Sequence, residues 1–464
     1  MTRRRVVVGW VAATILACIC VNPYVRGDGN GYYAWLVSPV IDGDLDFANQ
    51  FARADPLFQT LIFNPDGTVR PEALTATGRV GNQWSVGPAV LWAPWFLVAH
   101  AGVVVARELG AVVPADGYSW PYLWMVSIGT VVYGMLALWW SAELATRLGY
   151  ARGAVIAAAG VGLASSLPVY QVILPFHVHA LAAVSVTAFV VYRHLGAPLT
   201  TATQWGIWGL IAGVMVQVYQ LNGVMLLVAV WTWIAWLRRS GLGPAVGGGA
   251  AFAAGGLLAC LPQMIGKAIV YGSPLTTGYQ DQFFWTDPRL WDTAFSTNHG
   301  WVLWTPVVAL ALAGLMSACR RDATLRPWAA AAVVFYVVVA SYQNWHGQSS
   351  FGNRFLLSLT VLLVIGLAAL AQRALEAGTG RRRVLMATLA GLALWNGGFI
   401  FQWGTNIIPN RGPVNFREVA ANQVRVVPRR IIEFGSRYFA DRRGAQGDVE
   451  GRDQEERRDY RVVR

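Results

Sequence analysis

Long apolar runs alternate with short polar segments along most of this chain, from Val6 to Phe401. The runs approach the roughly 20 residues that a helix needs to span a bilayer. Only 13% of the residues are charged, whereas soluble domains carry about 25%. The pattern predicts an all-α polytopic integral membrane protein.

Arginines gather in short clusters between the apolar runs, and cytoplasmic loops of membrane proteins carry such clusters. The clusters are Arg3 to Arg5, Arg147 with Arg152, Arg193, Arg238 with Arg239, Arg320 with Arg321 and Arg326, and Arg381 to Arg383. Between clusters the runs pair, and each pair leaves the cytoplasm and returns. The pairs are 153–174 with 178–194, 204–219 with 221–237, 245–270 with 301–318, and 327–342 with 355–372, before a last run at 384–401.

The N-terminal part breaks this parity. The run Val6–Val21 takes the chain out, and two more runs, 86–106 and 119–141, precede the cytoplasmic arginine Arg147. Three crossings would leave Arg147 outside, so one run should not cross. We predict that 86–106, which contains Pro88, lies on or dips into the outer face.

This topology predicts about 11 transmembrane helices plus juxtamembrane helices in a long first external loop. The expected divisions are a signal-anchor helix at 1–23, the external loop at 24–117, the transmembrane bundle at 118–401 and a polar basic tail at 402–464. The predicted location is a bacterial inner membrane, with the N-terminus in the cytoplasm and the tail outside. Few apolar residues follow residue 443, which predicts disorder over 444–464.

The net charge of +12 does not indicate a nucleic-acid partner, because the arginines follow the membrane topology. The four cysteines lie in or beside apolar runs without metal-ligand spacing, so we interpret them as small core residues. Phosphate-binding and dinucleotide-binding glycine motifs are missing from the sequence. The cytoplasmic loops are also too short to form a nucleotide-sugar site.

The external segments carry the candidate chemistry. Asp28 lies in the glycine-rich segment Arg26 to Gly31, where the chain leaves the first helix. An ordinary turn is the alternative interpretation, because turns favour Asp and Gly. His177 and His179 start a later helix at i and i+2, so one of them is expected to face a site, and an interfacial histidine is the alternative for each.

Two isolated cations lie on the same side. Arg354 opens an apolar helix outside the predicted cytoplasmic clusters, and Lys267 is the only lysine of the chain. Each could extend to lipid headgroups or bind a substrate phosphate, which suits the planar guanidinium. His299 and His346 also fall in external loops. Carboxylate, imidazoles, cations and aromatic rings together fit glycosyl transfer from a lipid-phosphate sugar.

The chain resembles the C-type superfamily of membrane glycosyltransferases, in the branch with protein O-mannosyltransferases and aminoarabinose transferases. The similar segments are Gly27-Asp28-Gly29-x-Gly31-Tyr32-Tyr33, Pro175-Phe176-His177-x-His179, Asn298-His299-Gly300-x-x-x-Trp304-Thr305-Pro306 and Trp345-His346-Gly347-x-Ser349-x-Phe351-Gly352-x-Arg354. The resemblance implies a bundle whose first external loop carries helices that do not cross.

The resemblance also implies roles. Asp28 would be the catalytic or metal-linked carboxylate, and Arg354 would contact the donor phosphate. The expected substrate-binding residues are Tyr32, His177, His179, Lys267, His299, His346 and Arg354. The second external loop has no acidic residue, so a divalent cation at Asp28, magnesium or manganese, stays an open alternative.

The predicted activity is transfer of a sugar from a polyprenyl-phosphate carrier to a lipid, glycan or protein acceptor on the outer face, with membrane lipids as surroundings. A transporter or lipid-carrier flippase is the alternative function, and it would place charges near the bilayer midplane. The centres of the apolar runs are nearly free of charge. A structural partner without chemistry would leave the external charged residues unrelated in space.

Overall fold

The computed structural model describes residues 3–279, 282–449 and 451. Within that part of the chain the structure is all-helical, with three isolated β-bridges and no strand. Seven of its helical stretches are long and apolar enough to cross a membrane. The prediction of an all-α polytopic membrane protein is therefore confirmed.

The helices are numbered in chain order. The N-terminal part contains α1 (Arg3–Cys20), α2 (Asp28–Val37), α3 (Ala48–Phe51), α4 (Pro56–Ile62), α5 (Gly87–Glu108) and α6 (Trp120–Ala145). The middle contains α7 (Ala151–Ala164), α8 (His179–Leu195), α9 (Ala202–Val218), α10 (Leu226–Ser240) and α11 (Leu242–Tyr271). The rest contains α12 (Leu290–Phe295), α13 (Trp301–Trp304), α14 (Val307–Arg321), α15 (Arg326–Ser341), α16 (Thr360–Glu376), α17 (Thr379–Gly404), α18 (Phe416–Arg425) and α19 (Val427–Ala440).

Helix α16 forms the centre of the bundle, since most of its apolar residues are buried. It packs on α14 where Gly314 faces Gly366, and a Cβ on either glycine would overlap the backbone of the other helix. On its other side, Gly153 of α7 lies against the carbonyl of Ala368. Small residues allow membrane helices to approach this closely, and dispersion contacts then stabilise the pair. The close packing fixes the position of α16, which follows the 3-10 segment that begins with Arg354.

Helix α5 runs beside α6 in the opposite direction. Trp92 Nε1 donates to Thr130 Oγ1 at 2.9 Å, and His100 Nδ1 lies 2.7 Å from the hydroxyl of Tyr122. Helix α5 therefore leads towards the start of α6, which is where α1 ends. Length and composition make α5 a candidate span. That 86–106 does not run from one face to the other stays a prediction.

The 11 predicted crossings exceed the seven long apolar stretches for structural reasons. The stretch Trp120–Ala164 bends at Gly149, which has a φ of 91°, and it contains both α6 and α7. Helices α8, α9 and α14 have 17, 17 and 15 residues, fewer than the ~20 that span a bilayer. The count of 11 stays a prediction.

The C-terminal tail is more ordered than its composition predicts. Helices α18 and α19 follow the bundle, and residues 442–449 are also helical. The predicted disorder from residue 444 is therefore wrong for 444–449, where Gln446 Oε1 accepts a hydrogen bond from Asn22 Nδ2 at 2.9 Å. Residues 450 and 452–464, to which the same prediction applied, lie outside the described residues.

Candidate active site

A tight turn places Asp28 at the start of α2. Gly27 has a φ of 55°, in the left-handed region that glycine tolerates best. Asp55 Oδ2 accepts hydrogen bonds from the Gly27 amide and from Asn30 Nδ2, both at 3.0 Å. Asp55, at the start of α4, thus fixes the conformation of this turn. We call the end of the bundle where α1 finishes and α2 begins the Asp28 end.

The other glycines of this segment permit close contacts with two aromatic residues. A Cβ at Gly29 would lie 2.8 Å from the Cβ of Phe176, and a Cβ at Gly31 would overlap the indole of Trp84. The Trp84 indole donates a hydrogen bond to the Asp28 carboxylate. The Gly-Asp-Gly-x-Gly spacing is therefore explained by packing around Asp28.

Arg354 reaches Asp28 from a distant part of the sequence. Its Nη2 lies 2.9 Å from Asp28 Oδ2, and the two side chains are 12% and 34% exposed respectively. Arg354 begins a 3-10 segment, Arg354–Leu359, which leads into α16. The central helix of the bundle thus carries the arginine to the carboxylate. This ion pair is only partly buried, and the exposed surface of Asp28 faces a cavity.

His177 supports Arg354 from the segment before α8. Its Nδ1 lies 3.3 Å from Arg354 Nη1. Burial, with the nearby charges of Arg354 and Arg26, lowers the pKa of His177 to about 4, although Asp28 acts in the opposite direction. At neutral pH the imidazole is therefore uncharged. Because guanidinium nitrogens only donate, Nδ1 is the acceptor.

The same charges act on Asp28. Burial alone would raise the pKa of its carboxyl group. The positive charge of Arg354 and the hydrogen bonds from Arg354 and Trp84 outweigh burial, so the pKa lies below its ordinary value. Asp28 is a carboxylate at neutral pH.

His179 is packed between the rings of two tyrosines. Its ring meets Tyr170 edge to face at a centroid distance of 4.8 Å, and Tyr219 at 5.7 Å. Tyr170 in turn binds the loop before Arg354, because its hydroxyl accepts from the Phe351 amide at 3.1 Å and contacts Ser350 Oγ at 3.0 Å. This network fixes the position of the loop relative to the histidines.

A cavity of about 760 Å³ opens beside the Asp28–Arg354 pair. One part of its wall is polar and the other part is apolar. Most of the apolar part comes from the start of the 220–240 helical stretch and from α15. The polar and aromatic lining comprises Asp28, Tyr32, Gln83, Trp84, Ser85, His179, Tyr219, Gln220, Thr277, Tyr279, Tyr342, Gln343, Asn344, Gln348 and Arg354. The apolar lining comprises Leu221, Val224, Phe283, Val338, Val339 and Phe355.

The structure brings four of the predicted site residues to the cavity wall, namely Asp28, Tyr32, His179 and Arg354. His177 contacts Arg354 from behind the wall. The remaining three, Lys267, His299 and His346, do not line the cavity.

Lys267 is fully buried in α11. Its ammonium donates to the carbonyls of Asn82, Gln83 and Thr277 at 2.7, 3.1 and 3.0 Å. An ammonium has three protons, so these carbonyls occupy all of its donors. It lies 5.5 Å from the Trp35 ring and does not face the cavity. In this structure Lys267 joins two loops and is not available to bind a phosphate.

His299 is buried against Trp304, with ring centroids 4.6 Å apart. Burial, with the charges of His346 and Arg354, lowers the pKa of His299 to about 3. His346 Nδ1 accepts from the amide of Gln348 at 3.0 Å and shapes the loop that precedes Arg354. Both histidines support the loop around the cavity without reaching its wall.

A resident divalent ion does not fit these side chains. Among the described residues, no group of three or more His, Cys, Asp and Glu side chains could hold a metal ion. Asp28 is the one acidic residue on the described cavity wall, and it is engaged with Arg354. Magnesium and manganese favour several oxygen ligands.

Sequence reasoning missed Trp84 and Asp55. Trp84 is one of 22 tryptophans, and Asp55 is one of several acids in the first external loop. Neither has a distinguishing neighbour in the sequence. Their roles arise only when α2, α4 and the 82–85 segment come together.

No family model matches this chain, and no curated protein matches it. Among solved structures, the crystal structure of ArnT from Cupriavidus metallidurans bound to undecaprenyl phosphate is similar, with 17% sequence identity and a TM-score of 0.48. The similarity covers 98% of this chain and 76% of that chain. Identity and TM-score are both low, so the function proposed below depends on the side chains of the cavity itself.

Proposed function

We propose that this protein is a membrane glycosyltransferase that moves a sugar from a polyprenyl-phosphate carrier to an acceptor hydroxyl on the outer face. The observation that carries the proposal is the Asp28–Arg354 pair, 2.9 Å apart on one cavity wall. A base for the acceptor and a cation for the leaving phosphate thus lie side by side.

Arg354 is the proposed phosphate ligand. Its guanidinium already contacts Asp28 through Nη2 and His177 through Nη1, while buried Nε has no partner. A fork held in this way is preorganised, because little side-chain freedom is lost when a phosphate binds. As phosphate leaves, its oxygen gains negative charge, which the guanidinium stabilises.

The apolar part of the cavity suits a lipid carrier. The same cavity is lined by Leu221 and Val224 of the 220–240 stretch and by Val338 and Val339 of α15. Further along α15, Val333 is 63% exposed. An isoprenoid chain could follow this apolar surface from the phosphate towards the bilayer. A water-soluble donor would have no use for it.

The reaction follows from these positions. The acceptor hydroxyl oxygen forms a bond to the anomeric carbon, and the bond from that carbon to the phosphate oxygen breaks, leaving its electron pair on the phosphate. The hydroxyl proton passes to an oxygen of Asp28. Attack from the face opposite the phosphate inverts the anomeric configuration. The products are the glycosylated acceptor and polyprenyl phosphate held by Arg354.

Donor binding would also tune the base. The charge of Arg354 keeps the pKa of Asp28 low. A phosphate at Arg354 offsets that charge, so the pKa of Asp28 rises towards its ordinary value and the carboxylate becomes a better proton acceptor. The ion pair is then the resting arrangement, and the donor itself activates Asp28.

The outer face is proposed from the arginine clusters. Arg321 and Arg373 lie near Tyr150, between α6 and α7. The helical stretch Arg354–Glu376, which contains α16, runs from Arg354 at the Asp28 end to Arg373 at this other end. If the arginine-rich end is cytoplasmic, then the cavity opens on the outer side.

The test is transfer by the purified chain in nanodiscs, with short-chain polyprenyl-phosphate glucose, mannose and arabinose as tritiated donors and envelope glycans as acceptors. Asp28→Asn is expected to lower transfer by about 10²–10⁴-fold, as loss of a general base does. Asp66→Asn removes an exposed carboxylate of the same loop and should leave transfer intact.

Equal transfer by Asp28→Asn and the unmodified chain would remove Asp28 from the mechanism. If no donor is consumed while the chain moves labelled polyprenyl phosphate between leaflets, the protein is a flippase.

A further inference from the structure

The C-terminal helices form an amphipathic surface outside the cavity. Helices α18 and α19 cover 416–440, and the segment 416–443 contains seven arginines and three acidic residues. A basic segment at the Asp28 end is unexpected from the charge rule alone, because that rule places arginines on the cytoplasmic side. The position of α19 explains these residues.

Helix α19 is attached where two bundle helices end. The Tyr438 hydroxyl donates to the carbonyls of Cys20 and Val21, both at 3.2 Å. Phe434 packs on Phe401 in the last turns of α17, with ring centroids 5.9 Å apart.

The residues after α19 complete this attachment. Arg442 donates to the carbonyls of Val21 and Ile19 at 2.9 and 3.0 Å. The last carbonyls of a helix lack intrahelical partners, so the tail caps α1. It is thereby held at the level where α1 leaves the apolar region.

One face of α19 carries large apolar side chains that are mostly exposed, although the Arg442 guanidinium lies 5.8 Å from the centroid of the Phe439 ring. Ile432 is 73% exposed and Phe439 is 60% exposed. They are seven residues apart and share a face of the helix. Arg429, Glu433 and Arg437 occupy another face. The packed face with Phe434 and Tyr438 adjoins the exposed apolar face. On the polar face, Arg437 pairs with Asp448 of the following helical segment, whereas Arg429 is exposed.

Such a helix has the features of one that lies in a membrane interface, with apolar residues among the lipid chains and arginines at the headgroups. We propose that α19 lies in the outer bilayer interface, with Ile432 and Phe439 inserted and with the exposed Arg417, Arg425 and Arg429 bound to anionic phospholipid headgroups. Contact with the interface holds the tail in place, and with it the hydrogen bonds from Tyr438 and Arg442 to the last carbonyls of α1. The occupant is lipid, because exposed apolar side chains and excess positive charge flank the ends of two apolar helices.

The test uses the full chain in nanodiscs. In a background with the four native cysteines replaced by alanine, a spin label is placed at Ile432→Cys or at Glu433→Cys. Collision with oxygen, which concentrates in the bilayer, is compared with collision with a water-soluble nickel chelate. Neighbouring positions point about 100° apart on a helix, so they serve as a matched pair.

The label at 432 should collide at least threefold more with oxygen than with the chelate, and the label at 433 should show the reverse. Replacing phosphatidylcholine by phosphatidylglycerol should move the 432 label deeper. Arg425→Gln with Arg429→Gln should remove this lipid dependence. Chelate access at 432 equal to that at 433, in both lipids, would overturn the proposal.

The unmodified chain provides a second measurement, which does not depend on the cysteine substitutions. Lipids with a photoreactive diazirine in the acyl chain should label peptides from 427–440, and mass spectrometry should place adducts on the face of Ile432 and Phe439. Labelling of 427–440 that does not exceed labelling of the exposed loop around Asp66 would contradict insertion.

Discussion

Asp28 and Arg354 are 326 residues apart in the sequence, and their side chains meet at 2.9 Å. His177 holds the other arm of the guanidinium, and its low pKa keeps it neutral and able to accept. At the scale of the residue, the site depends on one guanidinium. It contacts the carboxylate and the imidazole, and the Arg354 side chain also lines the cavity. Two predictions follow from this geometry.

Arg354→Lys should weaken donor binding. Lysine keeps the positive charge, but a single ammonium cannot contact Asp28, His177 and a phosphate in the same geometry. We expect the KM for the donor to rise at least tenfold, and kcat to fall because the leaving phosphate is less stabilised. Steady-state kinetics with a polyprenyl-phosphate sugar measure both. Arg53→Lys alters the exposed pair with Asp116 and should change neither constant by more than about twofold.

The stability of the protein should fall as the pH drops below the ordinary pKa of histidine. In the unfolded chain His177 titrates near 6.5, whereas in the folded chain its pKa is about 4. Its contribution is therefore present above pH 6.5 and lost as the pH falls towards 4. The difference amounts to at most roughly 3 kcal/mol.

Thermal unfolding in detergent between pH 7.5 and 4 measures this contribution. The pH dependence should be smaller for His177→Gln, whose amide does not titrate but retains an acceptor oxygen. Identical slopes for the two chains would show that the folded imidazole takes up a proton as readily as the unfolded one.

At the scale of the elements, helix packing determines which loops surround the cavity. Lys267 in α11 binds the carbonyls of Asn82 and Gln83 together with that of Thr277. Trp84 follows the first pair and Tyr279 lies beside the third, and both line the cavity. The only lysine thus positions the cavity wall from behind, which distinguishes it from Arg354.

Lys267→Met should loosen this wall. Three carbonyls lose a charged donor, and buried acceptors without partners cost about 1–3 kcal/mol each. We expect a lower melting temperature together with a higher donor KM. Ile265→Met changes a half-exposed apolar residue of the same helix and is the control. A normal melting temperature and normal kinetics for Lys267→Met would exclude this positioning role.

At the scale of the whole molecule, the chain separates an arginine-rich end from the Asp28 end. The loop at Arg238 and Arg239 belongs to the first end by the charge rule. The C-terminal tail lies at the Asp28 end, because Tyr438 and Arg442 bind the last carbonyls of α1. The bundle between them is held by α16 and its neighbours.

Reporter fusions should show the two ends on opposite sides of the membrane. A green fluorescent protein fused after residue 241 should fluoresce, because it stays in the cytoplasm. Alkaline phosphatase fused after residue 443 should be active, because it reaches the outside. Phosphatase activity at 241, or its absence at 443 together with fluorescence there, would reverse the proposed orientation.

Local patterns in the sequence are enough to predict the class of the protein and most of its helices. Bilayer thickness imposes a length on apolar runs, and membrane topology imposes a side on arginines, so both signals are local. The run at 384–401 accordingly lies within α17. Local signals also marked Asp28 as a candidate, because it lies in a glycine-rich segment where the chain leaves the first apolar run.

Which of the marked residues share a site depends on how the helices pack. The tertiary structure joined Asp28 to Arg354 and directed Lys267 away from the cavity. It also recruited Trp84 and Asp55, which nothing in the sequence distinguished. The physical reason is that contacts between distant segments depend on how helices pack. Packing follows from the shapes of the helix surfaces, and neither hydropathy nor the order of residues in one segment reveals it.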